Sequence, residues 1–190
     1  MKKVNTLFVL LTLAGSASAQ TSWNIDKTHS RIGFSVAHMV VSETEGNFKD
    51  YDAKVSAKTA DFNGADVEFT AKTASIDTDN EKRDNHLRSG EFFDAEKFPE
   101  IKFKGNLVKE GKQYLLKGNL TMRDVTKPVI FQVTYGGTVK ANNSEKAGFK
   151  LTGKVNRQDY GLKWSKTIES GGLVVGDEVD IICKIELNKA

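Results

Sequence analysis

From Arg31 onward the chain alternates. Ile32, Phe34, Val36 and His38 fall on one face, and Arg31, Gly33, Ser35 and Ala37 on the other. A period of two marks a half-buried strand. Trp23-Asn24-Ile25-Asp26 reads as a shorter strand before it, and Gly46-Asn47-Phe48 with Tyr51-Asp52-Ala53-Lys54-Val55 as a strand pair about a turn at Lys49-Asp50. Val67, Phe69 and Ala71 alternate with Glu68, Thr70 and Lys72. Further on, Ile101, Phe103 and Leu107 form one apolar face, and Tyr114, Leu116, Leu120 and Met122 the next. Val129, Phe131, Val133 and Tyr135 follow, then Phe149, Leu151 and Val155, and last Val179, Ile181, Cys183, Ile185 and Leu187. Links such as Lys109-Glu110-Gly111-Lys112 suit hairpins and hence antiparallel pairing. The pattern predicts an all-β fold of about eight antiparallel strands, as a sandwich or a closed barrel. A barrel of that size has room inside for side chains or for one small ligand. Gly105, Gly118 and Gly153 among the large inward residues, and Gly33 if its face turns in, signify strand bending or space for a guest.

The period breaks once. Thr78-Asp79-Asn80-Glu81 has the form of a capping box, and predicts a short helix to about Ser89 with Gly90 as its C-cap. The stretch from Arg83 to Asp94 gathers Arg83, Asp84, His86 and Arg88 beside Phe92-Phe93 and closes at Phe98-Pro99. It reads either as a specialised mouth or flank of the barrel, or as a solvated connection kept soluble by its charge.

The first residues belong to a different pattern. Lys2 and Lys3, an apolar run over residues 7–13 and the small residues Ala17-Ser18-Ala19 compose a secretory signal, too short for a membrane span. Cleavage after Ala19 leaves residues 20–190 as one domain, periplasmic or secreted. Loss of the two lysines lowers the formal charge from +3 to +1. That balance argues against general nucleic-acid binding, which needs a basic face. Cys183 is the sole cysteine, so no intrachain disulfide forms and packing must carry stability. Its alternation with Ile181 and Ile185 predicts a buried, inert thiol.

Candidate chemistry is sparse. His29 and His38 lie roughly 30 Å apart along an extended chain, so they share no metal unless the chain bends sharply, and no metal site is expected. The sequence offers no strained serine elbow and no cysteine–histidine pair of known spacing. Asp84, His86 and Asp159 remain as groups able to do acid–base work.

Four islands follow in order along the chain: Asp26-x-x-His29-Ser30-x-Ile32-x-Phe34-x-Val36-x-His38 with Gly46-x-Phe48; Arg83-Asp84-x-His86-Leu87-Arg88-Ser89-x-x-Phe92-Phe93-Asp94 with Phe98-Pro99-x-Ile101-x-Phe103; Gly118-x-Leu120-Thr121-Met122 through Val125-Thr126-Lys127-Pro128-Val129; and Asn156-Arg157-x-Asp159-Tyr160-Gly161-Leu162 with Val175-Gly176-Asp177-Glu178-Val179. Together they resemble the YceI-like family of exported, lipocalin-like polyisoprenoid-binding proteins. Asp124 stands where the family tends to have glycine, and Asp tolerates the left-handed turn better than most residues. The resemblance implies a lipocalin-like antiparallel barrel whose apolar interior holds a long-chain lipid such as a polyprenyl phosphate or an isoprenoid quinone, with no cofactor. Phe34, Val36, Phe69, Phe103, Leu116, Leu120, Phe131, Val133, Phe149, Leu151, Ile181 and Ile185 are the expected tail cavity. Arg83, Asp84, His86, Arg88, His38, Arg157 and Asp159 are the expected head-group residues. A carrier or scavenger is the first expectation. A hydrolase or isomerase acting on such a lipid through Asp84 and His86 is the alternative, and a partner-binding barrel with a filled core is a third reading. Whether the chain works alone or as a homodimer is left open.

Overall fold

The structure, a computed structural model, describes residues 20–141, 144–167, 169 and 171–190; the signal read at residues 1–19 lies outside them. Eleven strands and one helix follow in order. They are β1 (Thr21–Ile25), β2 (Arg31–His38), β3 (Ser42–Phe48), β4 (Tyr51–Ala57), β5 (Ala65–Lys72), β6 (Ile76–Asp77), α1 (Glu81–Arg88), β7 (Glu100–Glu110), β8 (Gln113–Met122), β9 (Val125–Ala141), β10 (Ser144–Asn156) and β11 (Val175–Lys189). Eight of them close a ring in the order β1-β4-β5-β7-β8-β9-β10-β11, with β11 returning to β1. The expected antiparallel barrel is therefore the fold.

The seam has an unusual construction. Along one edge of β11, residues from Leu187 to Lys189 pair with β1, while Val175 and the stretch from Val179 to Lys184 pair with β2. The two short strands share that edge end to end around a corner at residues 26–30. The expected pairing of the third and fourth strands does not occur: β3 pairs with β2 and β6, and β4 pairs with β1 and β5. Since β1 and β2 follow one another along β11, their partners must do the same. The link at Lys49-Asp50 steps the chain from one to the other, with the Lys49 amide donating to the Ser75 carbonyl at 3.1 Å.

Hairpin chemistry follows the sequence. Two-residue turns join Glu110 to Gln113, with Gly111 at φ +62°, and Met122 to Val125, with Arg123 and Asp124 at φ +48° and +59°. Asp124 does take the left-handed conformation its place requires.

The interior divides into two halves. At one end Trp23, Phe62, Tyr114, Tyr135 and Phe149 pack ring on ring, with centroids 5.0 Å apart for Trp23–Phe62, 5.1 Å for Phe62–Phe149 and 5.0 Å for Tyr135–Phe149. These rings plug the barrel. Toward the other end the interior is hollow. The inward glycines explain how large rings fit there. A Cβ on Gly118 would lie 2.6 Å from Phe103 Cζ, one on Gly153 2.5 Å from Phe131 Cδ1, and one on Gly46 2.8 Å from Phe34 Cε1. Each glycine seats the ring of a neighbouring strand.

Candidate functional site

The hollow half holds a cavity of about 250 Å³. Its walls come from all eight ring strands, β9 giving only Phe131, together with β2, Phe48 of β3 and Ile76 of β6, and from Leu87, Phe92, Phe93 and Leu162. Of the twelve residues expected to line it, Phe34, Val36, Phe69, Phe103, Leu116, Leu120, Phe131, Leu151, Ile181 and Ile185 do so. Val133 and Phe149 do not; Phe149 stacks on Tyr135 in the plug, and Val133 packs on the core beyond the cavity. Alternation assigned their face correctly but could not say at which height along the barrel the plug ends. The Leu87, Phe92 and Phe93 contribution was also missed as cavity wall, because a charged helical segment gives no period-two signal. The doublet of phenylalanines beside Leu87 was the available clue.

The helix holds its place through polar ties. Its N-cap is Asn80, whose side chain accepts from the Arg83 amide at 3.0 Å, and its C-cap is Ser89 in extended conformation. The expected cap at Thr78 is displaced because Thr78 serves another end. Its amide and its hydroxyl both donate to Asp84 Oδ1, at 2.9 and 2.6 Å, in a buried pair. Arg83 closes the same knot, donating from Nε to Thr78 Oγ1 at 2.7 Å and from Nη2 to the Thr78 carbonyl at 2.6 Å. Arg88 reaches back to β6, donating to the Ala74 carbonyl at 2.9 Å and the Ile76 carbonyl at 3.1 Å, and it also holds Asn85. His86 lies outside this knot. It meets Glu91 at 2.5 Å and stands edge-on to Phe92 and Trp164.

Arg157 is the one charged residue among the described cavity walls, and it is 4% exposed. It sits on a 3₁₀ turn, Arg157–Tyr160, that begins where β10 ends. Nε donates to the Gly176 carbonyl at 2.8 Å, Nη1 to the carbonyls of Leu162 and Trp164, and Nη2 to the Val175 carbonyl at 3.5 Å and to Asp177 at 3.0 Å. A guanidinium has five N–H donors, and all five are engaged. Burial pulls its pKa below the ordinary arginine value, with Asp177 opposing. Arg157 thus fastens the loop after the turn to the start of β11. Asp159 is exposed, 3.9 Å from Lys127. His38 ends β2 opposite Val175, its Nδ1 3.5 Å from Ser42 Oγ. The structure therefore gathers Arg83, Asp84, His86 and Arg88 on one helix; Arg157 is linked to His86 through Trp164, while His38 and Asp159 make their contacts elsewhere.

A second polar cluster lies at the seam. Asp26, His29 and Glu186 bring their ligand atoms together, but the Lys146 ammonium sits among them, 3.2 Å from Asp26 and 2.6 Å from Glu186. An ion pair already fills the place a metal would take. His29, and after it Lys146 and Asn188, hold the Asp26 carboxyl well below the usual carboxylate range. The sequence had dismissed a shared site for His29 and His38, but could not reveal Glu186 or Lys146 beside His29.

The barrel fold is shared by known proteins. Residues 23–187 match the model of the YceI-like domain. The chain belongs to the YceI-like family. A UPF0312 protein of Staphylococcus aureus (strain N315) is 34% identical over 170 residues, covering 88% of this chain and 98% of that protein. The YceI protein of Campylobacter jejuni superposes with a TM-score of 0.70 at 31% identity, over 79% of this chain and 87% of that one. A polyisoprenoid-binding domain from Saccharophagus degradans shares the YceI-like fold, with a TM-score of 0.65 at 14% identity, over 88% of this chain and 98% of that one.

Proposed function

We propose that this chain is an exported carrier or scavenger of a long-chain lipid, an isoprenoid or another fatty molecule, held in the hollow half of the barrel. The observation that carries the reading is the cavity: about 250 Å³, walled by aliphatic and aromatic side chains and approached by no unengaged charge among its described walls. Its size is close to the lower end of the ~300–1,000 Å³ range of small-molecule sites and exceeds the ~150 Å³ of an apolar cavity that takes benzene. It suits a stretch of branched hydrocarbon, with the rest of a long tail lying toward the mouth. Family membership and the ligand of the Saccharophagus degradans relative support the choice of an isoprenoid.

Magnitudes assign the work. Each CH₂ removed from water contributes about 0.8 kcal/mol, so a five-carbon isoprene unit offers roughly 4 kcal/mol gross. One charged hydrogen bond adds about 1.5–3 kcal/mol. The tail sets affinity and the head sets selectivity. An anionic head would meet Arg83, His86 and Arg88, which α1 gathers together, with Arg83 and Arg88 also tying the helix to Thr78, Ala74 and Ile76. Replacing Arg83 and Arg88 together by Gln should weaken a charged lipid selectively against a neutral one of equal tail length. An equal effect on both would leave the helix a structural cover.

Catalysis through Asp84 and His86 is the weaker reading. Residues two apart on a helix point to different faces, and Asp84 is occupied by Thr78. Extraction of the purified protein followed by mass spectrometry tests the choice. A stoichiometric co-purified lipid supports the carrier, turnover of that lipid supports an enzyme, and an empty extract supports a filled, partner-binding barrel. The same spectrum should show the exported chain beginning at Gln20.

A further inference from the structure

Among the described residues, the most exposed run of large apolar side chains lies at the tip of the β2–β3 hairpin. Met39, Val40 and Val41 are 40%, 76% and 87% exposed. Met39 and Val40 sit at φ +50° and +66°, a conformation in which a β-branched residue is a genuine outlier. Turns there ordinarily carry Gly, Asn or Asp, so neither solubility nor backbone geometry accounts for these residues.

The tip stands at the hollow end. The cavity wall runs along β11 as far as Val175, which pairs with His38. One residue further, the Val174 carbonyl accepts the Met39 amide at 3.0 Å, and the Val174 amide donates to the Lys166 carbonyl at 2.8 Å. The plug of Trp23, Phe62 and Phe149 lies at the opposite end. Residues 39–41 thus lie one residue pair beyond the cavity wall, at the end away from the plug. Near the tip the charges are mixed: Glu43 and Glu45 on β3, and Lys166, whose carbonyl accepts the Val174 amide, in the loop before β11. Trp164, half-buried with the Lys166 ammonium 5.9 Å from its ring centre, lies in that loop. Tryptophan and lysine together are the residues that favour the water–hydrocarbon boundary.

We propose that residues 39–41 form a finger that inserts into the surface of a lipid bilayer and sets the cavity mouth against it, so that the lipid passes between membrane and barrel without crossing water. The choice of a bilayer over a protein rests on the lipid-carrier reading. The mixed charge matches an electrically neutral surface rather than an anionic one, so apolar insertion drives the contact and salt has little effect on it. The hairpin reaches only into the interface, since three residues cannot span the hydrocarbon.

The test is co-sedimentation with phosphatidylcholine vesicles, using the full exported chain and the triple change Met39→Ser, Val40→Asn, Val41→Ser. Asn accepts the left-handed backbone, so the hairpin should survive. The expected result is a fall in vesicle partitioning of tenfold or more, at low and at high salt alike, with slower uptake of lipid from the vesicles and an unchanged melting temperature. Val41→Trp should raise partitioning. Equal sedimentation of the triple variant and the parent would overturn the proposal, as would a parent that never binds vesicles. A variant that changes only from dimer to monomer, with sedimentation unaltered, would also overturn it and assign the tip to a second copy. A parent that binds vesicles but carries no lipid defeats the carrier reading alone.

Discussion

At the scale of single residues, the inward face of the barrel is tuned by what each position leaves room for. Gly118 faces Gly105 across β7 and β8, and the Phe103 ring lies over both. Gly118→Val would drive a branched side chain into backbone and ring, and overpacking of this kind costs about 1–3 kcal/mol. Urea unfolding should show that loss with little change in slope. Cys183, buried on the same inner surface, has its thiol pushed up to about 11 by desolvation. Since the thiolate is the nucleophile, a maleimide should label the native protein far more slowly than the urea-unfolded one. Labelling of both at one rate would mean that β11 presents its other face.

At the scale of an element, α1 is held more by its caps and its knot with Thr78 than by its own apolar surface. Asn80→Ala removes the side chain that accepts from the Arg83 amide and should cost about 1 kcal/mol. Asp84→Ala is the graver change. It strands the Thr78 amide and hydroxyl in a buried place, and each unsatisfied group costs about 1–3 kcal/mol. If the helix cover closes the cavity, Asp84→Ala should also speed the loss of bound lipid, as followed by dye displacement. Asn80→Ala, which leaves the Thr78 pair intact, should affect stability more than release.

At the scale of the whole molecule, closure depends on contacts between distant parts of the chain. Asp26, at the corner between β1 and β2, is bonded to Lys146 of β10 and Asn188 of β11. Asp61 is held by Lys109, which lowers its carboxyl to about 2. Both carboxyls bind protons less readily folded than unfolded, where the value is about 3.9. Their contribution is therefore complete above about pH 5 and is lost as pH falls below about 4, toward the folded values. Acid unfolding followed by circular dichroism should begin in that window, and Asp26→Asn should shallow it while lowering stability at neutral pH. The cavity is a second whole-molecule property. Val67, on β5, lines it and is only half-buried; Val67→Phe should fill space, lower the co-purified lipid and leave the melting temperature nearly unchanged. Full lipid occupancy in that variant would place the ligand elsewhere.

The sequence alone determined most of the strands, their inward faces, the turns at Gly111 and Asp124 and the helix, because each depends on a local rule; strand β6 and the β2–β3 hairpin gave no such signal. The alternation of Ile101, Phe103 and Leu107, the glycine at 111 and the aspartate at 124 need no distant partner to be understood. It also sufficed to gather most of the cavity wall, since a face once chosen is kept along a strand. Tertiary structure decided the rest. Whether Val133 and Phe149 meet the cavity depends on where Phe62, far away in sequence, inserts its ring. Whether Thr78 caps the helix or binds Asp84 depends on how α1 seats against β6. The division of one β11 edge between β1 and β2, and with it the failure of β3 to pair with β4, follows from ring closure. Closure joins residues more than a hundred positions apart, and no local period can encode it.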